Sequence, residues 1–260
     1  MKSTFVLCQT EQEGNPSVNL KRAEQWVQKA VQKYHPDVIV FPEVYQSHYP
    51  LSTDPFTVQA AAEPLNGPFV TGMQKIAKEE HVWLIFGMRE LAEQKRYYNT
   101  VVILDNNGCL IDTYRKVHLY DAFSFRESDF VQAGNTYFKP ISTPFGTLGV
   151  FVCYELRYPE VARALTQGGA DLLVLPTAWV KGPQKKEQFR VLARARAIEN
   201  AAYVLACDQC GPDTLGCSLA VDPSGKVLAE AGATEAMLVV SIDTDRVEQT
   251  RKQCPSYKGV

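Results

Sequence analysis

The sequence has no long apolar run, no block of like charge and only four histidines, and each shortage removes a class of function. No stretch reaches the roughly 18 apolar residues that suggest a membrane span. Lys and Arg number 27 against 29 Asp and Glu, without a basic cluster, which argues against nucleic acid as the main partner. No Gly/Ser-rich linker or low-complexity tract divides the 260 residues, and 45% are hydrophobic, so one globular domain spanning 1–260 is expected. The segment Met1 to Gln9 carries one positive charge and too short an apolar run for a signal peptide; it reads as a first strand, with the cytoplasm as the default compartment. Seven cysteines (8, 109, 153, 207, 210, 217, 254) are an odd, scattered set, which suits free thiols better than a disulfide framework. Cys207-x-x-Cys210 with Cys217 lacks a second C-x-x-C, and histidines 35, 48, 81 and 118 lie far upstream, so no metal site is expected.

What is present is a repeated alternation of helix and strand signals. Asn15-Pro16 followed by Leu20, Ala23, Val27, Ala30 and Val31 gives an N-cap, a first-turn Pro and helical spacing, predicting a helix to about Tyr34. Asp37 to Phe41 reads as a strand buried on both faces and stopped by Pro42. A helix from Gly67-Pro68 to about Glu80 follows, with strands near Trp83 to Met88, Thr100 to Leu104 and, after the Asp105-Asn106-Asn107-Gly108 turn, Leu110 to Tyr114. The second half repeats this plan. A helix from Pro159 to Gln167 precedes a strand Asp171 to Leu175 ended by Pro176, a long helix from Pro183 to Asn200, a strand Tyr203 to Cys207, and a hairpin around Asp222-Pro223-Ser224-Gly225. Two related halves would bury their sheets against each other with helices outside, giving an α/β fold of four layers, α-β-β-α. Lys252 to Val260 reads as a tail that packs loosely or docks on a partner.

Glu43, Lys116 and Cys153 each stand just past an apolar strand, and in a mostly parallel sheet such ends can converge at one edge. Together they suit one chemistry. Glu43 can take the thiol proton and return one to a leaving amine, Lys116 can stabilise thiolate and oxyanion, and Cys153 can attack carbon. A helix N-terminus after Cys153 would add partial positive charge that favours thiolate.

Phe41-Pro42-Glu43, Tyr114-Arg115-Lys116-Val117-His118-Leu119 and Val152-Cys153-Tyr154-Glu155-Leu156-Arg157-Tyr158-Pro159-Glu160 resemble the three signature motifs of the nitrilase superfamily of carbon–nitrogen hydrolases. The resemblance extends from the first strand through Ala195 to Asn200 and on to Asp222-Pro223-Ser224-Gly225. It implies the α-β-β-α sandwich, assembly into dimers or larger oligomers, and a mechanism that needs no metal or cofactor and passes through a thioester. It also implies that Glu127, in Phe125-Arg126-Glu127-Ser128, orients Lys116 or helps transfer protons, and that the Tyr154 N–H joins the oxyanion hole. Many amidases of the family read Cys-Tyr-Asp and typical nitrilases Cys-Trp-Glu, whereas this chain reads Cys153-Tyr154-Glu155. Tyr154 and the compact length favour the amidase side, and Glu155 is expected to complement a helix dipole.

By the family layout, the substrate pocket takes Tyr45, Tyr49, Tyr120, Phe123, Arg157, Thr177 and Trp179, an aromatic wall with scattered cations that suits a small acyl group. Arg157, and after it Lys181, is the candidate to anchor a substrate carboxylate. Arg190 and Arg194, one turn apart, would share a solvated or subunit-facing edge. The expected reaction is R-CO-NH2 to R-COOH plus ammonia, with an ω-amide of a dicarboxylic or keto acid as the leading substrate type. An N-carbamoyl amidohydrolase is the nearest alternative and a nitrilase ranks below it. An acyl- or amidotransferase using the same thioester, or a non-catalytic scaffold, would be of a different class.

Overall fold

The computed structural model describes residues 2–50, 52–93 and 96–258. In the first half, strands β1 (Lys2–Gln9), β2 (Val38–Val40), β3 (Trp83–Leu91), β4 (Tyr97–Leu104) and β5 (Leu110–Arg115) alternate with helices α1 (Pro16–Tyr34), α2 (Pro55–Ala60) and α3 (Pro68–Glu79). A small hairpin, β6 (Asp121–Ala122) and β7 (Phe125–Arg126), leads to β8 (Ile141–Thr143). The second half runs β9 (Gly146–Val150), α4 (Pro159–Gln167), β10 (Leu172–Thr177), α5 (Lys185–Asn200), β11 (Tyr203–Asp208), β12 (Leu219–Val221) and β13 (Val227–Glu230), followed by β14 (Ala236–Asp243) and α6 (Thr244–Gln253).

The strands form two six-stranded sheets, ordered β14-β1-β2-β3-β4-β5 and β8-β9-β10-β11-β12-β13. Read in that order, each sheet has one antiparallel, two parallel and two antiparallel pairings. The duplication expected from the two Asp–Pro-bounded runs and the two hairpins is therefore a duplication of topology. Only the first strand of each order differs in origin: β8 is local, whereas β14 returns from the far end of the chain to cover β1 along all eight of its residues.

Period-two alternation assigns the layers. Phe5, Leu7, Val38, Val40 and Ile85 join Val150, Leu172, Val174 and Leu205 in the core between the sheets. Their neighbours Val6, Cys8, Ile39, Phe41, Leu84 and Phe86 face the other way and pack on Ala23, Val27, Met73 and Ala77 of α1 and α3. This is the four-layer sandwich. Helix α1 starts where Asn15 Oδ1 accepts the Ser17 N–H at 3.0 Å with Pro16 in the first turn.

Two local expectations change. Strand β10 runs through Pro176 to Thr177; beyond Val174 it no longer pairs with β9, so the missing proline donor interrupts no ladder on that edge. Beyond Gln253, Pro255–Lys258 form a 3-10 turn against α4 and α5, and Arg251 holds this end by donating to Asp171 Oδ1 at 2.8 Å and Ala170 O at 2.6 Å. Residues 259–260 of the expected tail lie outside the described residues.

Candidate active site

The ends of β2, β5 and β9 bring Glu43, Lys116 and Cys153 together. Glu43 follows the β2 run and is 5% exposed, Lys116 is 2% and Cys153 8% exposed. Lys116 Nζ lies 2.9 Å from Glu43 Oε1 and 3.0 Å from Glu127 Oε2. Asn99 on β4 bridges the same two carboxylates, its Nδ2 donating to Glu43 Oε1 at 2.7 Å and to Glu127 Oε1 at 3.2 Å. The Ala178 N–H donates to Glu43 Oε2 at 2.9 Å, and the Tyr120 N–H to Glu127 Oε2 at 2.6 Å. Each carboxylate is therefore fixed by several donors, and an ammonium buried between two acids is compensated, as burial of charge demands.

Backbone geometry aims these groups. Cys153 has φ +45°, a left-handed conformation that costs a side-chain-bearing residue about 1–2 kcal/mol, at the abrupt passage from β9 into a 3-10 turn over Cys153–Arg157. Val44, next to Glu43, has the same φ of +45°. Gly87 on β3 packs directly beneath this second bend: a Cβ there would come within 2.3 Å of Val44 N and 2.7 Å of the Glu43 carbonyl carbon.

The electrostatics correct one expectation. Burial and the adjacent Glu43 charge push the Cys153 thiol well above its ordinary range, and the partial relief from Lys116 does not reverse this. The resting group is a neutral thiol. Burial alone would raise Glu43, but the Lys116 charge and bonds from Lys116, Cys153 and Asn99 outweigh it and hold the carboxyl below its usual value. Burial disfavours the Lys116 ammonium, yet Glu127 and Glu43 together raise its pKa well above the ordinary one. The set at rest is thiol, carboxylate and ammonium, poised for proton transfer from Cys153 to Glu43.

Glu155 is not at a solvated helix end. It is fully buried, and its Oε1 accepts from Tyr114 Oη at 2.7 Å, Val117 N at 2.9 Å and His118 N at 3.2 Å, while Oε2 accepts from Val152 N at 2.7 Å. Burial raises its pKa against the pull of those donors. The carboxyl ties the backbone around Lys116 to the backbone around Cys153, so positioning replaces the expected dipole role.

These groups open into a cavity of about 400 Å³ lined by Tyr49, Tyr120, Arg157 and Trp179 among the expected residues. Tyr45 is elsewhere: it is 1% exposed, packs on Phe41 and donates to Asn19 O at 3.2 Å, because the left-handed Val44 turns it into the core under α1. Thr177 is fully buried beside the Cys153 thiol, not on the cavity wall. Phe123, 66% exposed at the tip of the β6–β7 hairpin, stands at the rim with Lys185 Nζ 3.6 Å from its ring centre. Lys181 donates to Gly211 O at 2.6 Å and Pro212 O at 3.0 Å, which ties it to a loop. Arg190 and Arg194 are engaged within the chain by Glu230 and the Gly225 carbonyl. Cys207 donates its thiol proton to Val40 O at 3.2 Å between the sheets. Sequence reasoning missed Asn99, Arg89, His48 and Lys185 of the cavity; the signal for Asn99 was a polar residue inside an apolar strand, which needs buried partners.

Two stacked six-stranded sheets between helical layers, with thiol, carboxylate and ammonium at the strand ends, constitute the nitrilase-superfamily arrangement. A crystal structure of Saccharomyces cerevisiae Nit3, a member of branch 10 of that superfamily, superposes with a TM-score of 0.86 at 28% identity, covering 98% of this chain and 94% of that one. The chain belongs to the carbon–nitrogen hydrolase family, whose sequence model matches residues 6–252. It is 33% identical over 270 residues to the deaminated glutathione amidase of Bos taurus, covering 97% of this chain and 80% of the relative. With the omega-amidase NIT3 of Saccharomyces cerevisiae it shares 34% identity over 260 residues, covering 92% and 86%. The protein is a hydrolase of carbon–nitrogen bonds.

Proposed function

We propose that the protein hydrolyses small linear amides through a Cys153 thioester, with an ω-amide of a dicarboxylic or keto acid as the substrate type. The observation that carries this reading is the buried thiol, carboxylate and ammonium opening into an aromatic cavity with a cationic wall. Glu43 takes the Cys153 proton as sulfur attacks the carbonyl carbon, and Lys116 and the Tyr154 N–H receive the oxyanion. The first N–H groups of a helical turn have no partner within it, which supports the role of Tyr154. As the C–N bond breaks, Glu43 gives its proton to the leaving nitrogen. Water then attacks the thioester, delivering a proton to Glu43, and Cys153 departs and regains that proton. When Glu43 is protonated, Glu127 keeps a negative partner on Lys116, so the ammonium neither neutralises nor swings away.

Arg157 supports the carboxylate-bearing acyl group: it lies on the cavity wall, 5.0 Å from the Trp179 ring centre, and donates to Gln188 Oε1 at 2.7 Å. Tyr49, Tyr120 and Trp179 shape the acyl pocket, and Phe123 covers its rim. The chain acts as one domain, in the cytoplasm, and as a dimer or larger assembly; half-exposed Val191 and Ile198, two turns apart on α5, supply an apolar face for pairing. Among the described residues, no helix is long and apolar enough to cross a membrane.

The test is an ammonia-release screen across simple amides, ω-amides of keto and amino acids, N-carbamoyl compounds and nitriles, with Cys153→Ala as control. Turnover of ω-amides that Cys153→Ala abolishes is expected. Carbon dioxide released beside ammonia would favour the carbamoyl alternative, and turnover retained by Cys153→Ala would refute the mechanism.

A further inference from the structure

Behind the cavity wall, one buried acid takes no part in the steps above. Asp208 ends β11, is fully buried, and is the register partner of Thr177 at the end of β10. Its Oδ1 accepts the Trp179 N–H at 2.8 Å. The preceding N–H, that of Ala178, is held by Glu43 Oε2 at 2.9 Å. Two carboxyl groups thus hold consecutive N–H groups of one strap, whose first residue, Thr177, has its side chain beside the Cys153 thiol. The Asp208 main chain is fixed as well: its N–H donates to Ser218 Oγ at 2.8 Å, and that hydroxyl donates to Asp208 O at 3.3 Å.

The two acids differ in what compensates them. Glu43 has the Lys116 ammonium and the Asn99 amide. Among the described residues no lysine, arginine or histidine forms an ion pair with Asp208. The titratable groups around it are Glu43 and the thiols of Cys207, Cys210 and Cys217, none of which supplies positive charge. Burial, and after it the Glu43 charge, push the Asp208 carboxyl well above the usual carboxylate range against the pull of its backbone donors. A second buried negative charge beside the Glu43 carboxylate is the costly state, so the proton stays on Asp208. Oδ1 is committed as an acceptor, which leaves Oδ2 to carry that proton. Asp208 Oδ2 is buried without a hydrogen-bond partner, and so is Thr177 Oγ1, although the two side chains lie close enough to act on one another. A small adjustment that aims the Oδ2 proton at Thr177 Oγ1 satisfies both. A hydroxyl has only one proton to give. With Asp208 as donor, the Thr177 proton is left for Cys153; an ionised Asp208 would draw that proton to itself.

We propose that Asp208 is a positioning residue that works as a neutral acid: it donates to Thr177 and thereby turns the Thr177 hydroxyl toward Cys153, where it stabilises the thiolate formed as Glu43 takes the proton. The inference rests on Cys153 being the nucleophile.

The probe is alkylation of Cys153 by iodoacetamide, followed by peptide mass mapping. Glu43 takes the thiol proton, an S–C bond forms, the C–I bond breaks and iodide leaves. Thr177→Val should slow this reaction about tenfold or more, the expected loss of a hydrogen bond to a charged group. Asp208→Leu should slow it similarly. Asp208→Asn keeps an acceptor for the Trp179 N–H and a donor for Thr177, so it should recover most of that loss. The double variant Thr177→Val with Asp208→Leu should lose less than the product of the two single losses, because one acts through the other. The infrared difference spectrum between the parent and Asp208→Asn at neutral pH should contain the C=O stretch of a protonated carboxylic acid, a readout that stands even if Asp208→Leu does not fold. Carboxylate bands alone in that spectrum, an unchanged rate in Thr177→Val, or Asp208→Asn as slow as Asp208→Leu would overturn the proposal. A full product of losses in the double variant would do so too, since it marks a purely structural role through Trp179. Alkylation needs no amide, so a protein that alkylates as expected but releases no ammonia rejects the amidase reading alone.

Discussion

Replacing Glu155 by Gln removes no bulk but breaks the clamp between the two catalytic segments. Its carboxylate accepts four donors, three of them backbone N–H groups that cannot turn away. A glutamine can keep its carbonyl oxygen toward Tyr114, Val117 and His118, but its NH2 then faces the Val152 N–H; the reversed rotamer strands the Val117 and His118 N–H groups, the Tyr114 hydroxyl being free to turn and accept. At least one buried donor is lost, at about 1–3 kcal/mol, and the donor–donor approach adds to it, so a loss of about 2–4 kcal/mol is expected. Glu155→Ala strands all four donors and should lose about 3–5 kcal/mol, with water entry limiting the total. Against a stability of about 5–15 kcal/mol this is measurable in urea as a lower midpoint at constant slope. The same variants should release product at least 100-fold more slowly, because a misplacement near 1 Å costs about that much. A Glu155→Gln unfolding free energy within about 0.5 kcal/mol of the parent's, with unchanged turnover, would refute the clamp, since ordinary surface substitutions fall in that range.

Glu43→Gln should slow both formation and breakdown of the acyl-enzyme, measured as separate half-reactions by rapid mixing; a normal rate in both would remove Glu43 as the proton carrier. Gly87→Ala should leave a folded protein with activity reduced tenfold or more, because the added Cβ displaces the Glu43 bend; full activity would show that the contact at Val44 N yields freely. The Glu43 carboxyl is held below its ordinary value of 4.5, so the active carboxylate persists above that pH and kcat/KM should fall only as pH drops below it. The stabilising pairing with Lys116 follows the same sign, present above the unfolded value and lost as pH falls through the folded one. An acid limb near pH 6–7 with a pH-insensitive substrate and intact circular dichroism would contradict this.

The duplicated strand–helix order, the buried character of the strands and the three positions after strand ends were all legible in sequence, because apolar periodicity and Pro/Gly punctuation are local signals. They sufficed to place Glu43, Lys116 and Cys153 at strand ends and to anticipate four layers. The return of β14 to cover β1 was not legible, since an eight-residue pairing across more than 200 residues leaves no local trace. Nor was the fate of Tyr45: it follows Glu43 by two residues as a pocket aromatic should, but one left-handed residue between them turns it into the core. Glu155 shows the same limit, its four donors coming from segments about 40 residues apart that meet only when the sheets stack. The sequence by itself determined which candidate residues stand at strand ends and which strands hold them. Tertiary packing alone decided the burial that raises the pKa of the thiol, the clamp that aligns it and the place of Arg89 in the cavity lining, because burial, charge neighbours and register are properties of the assembled sheets.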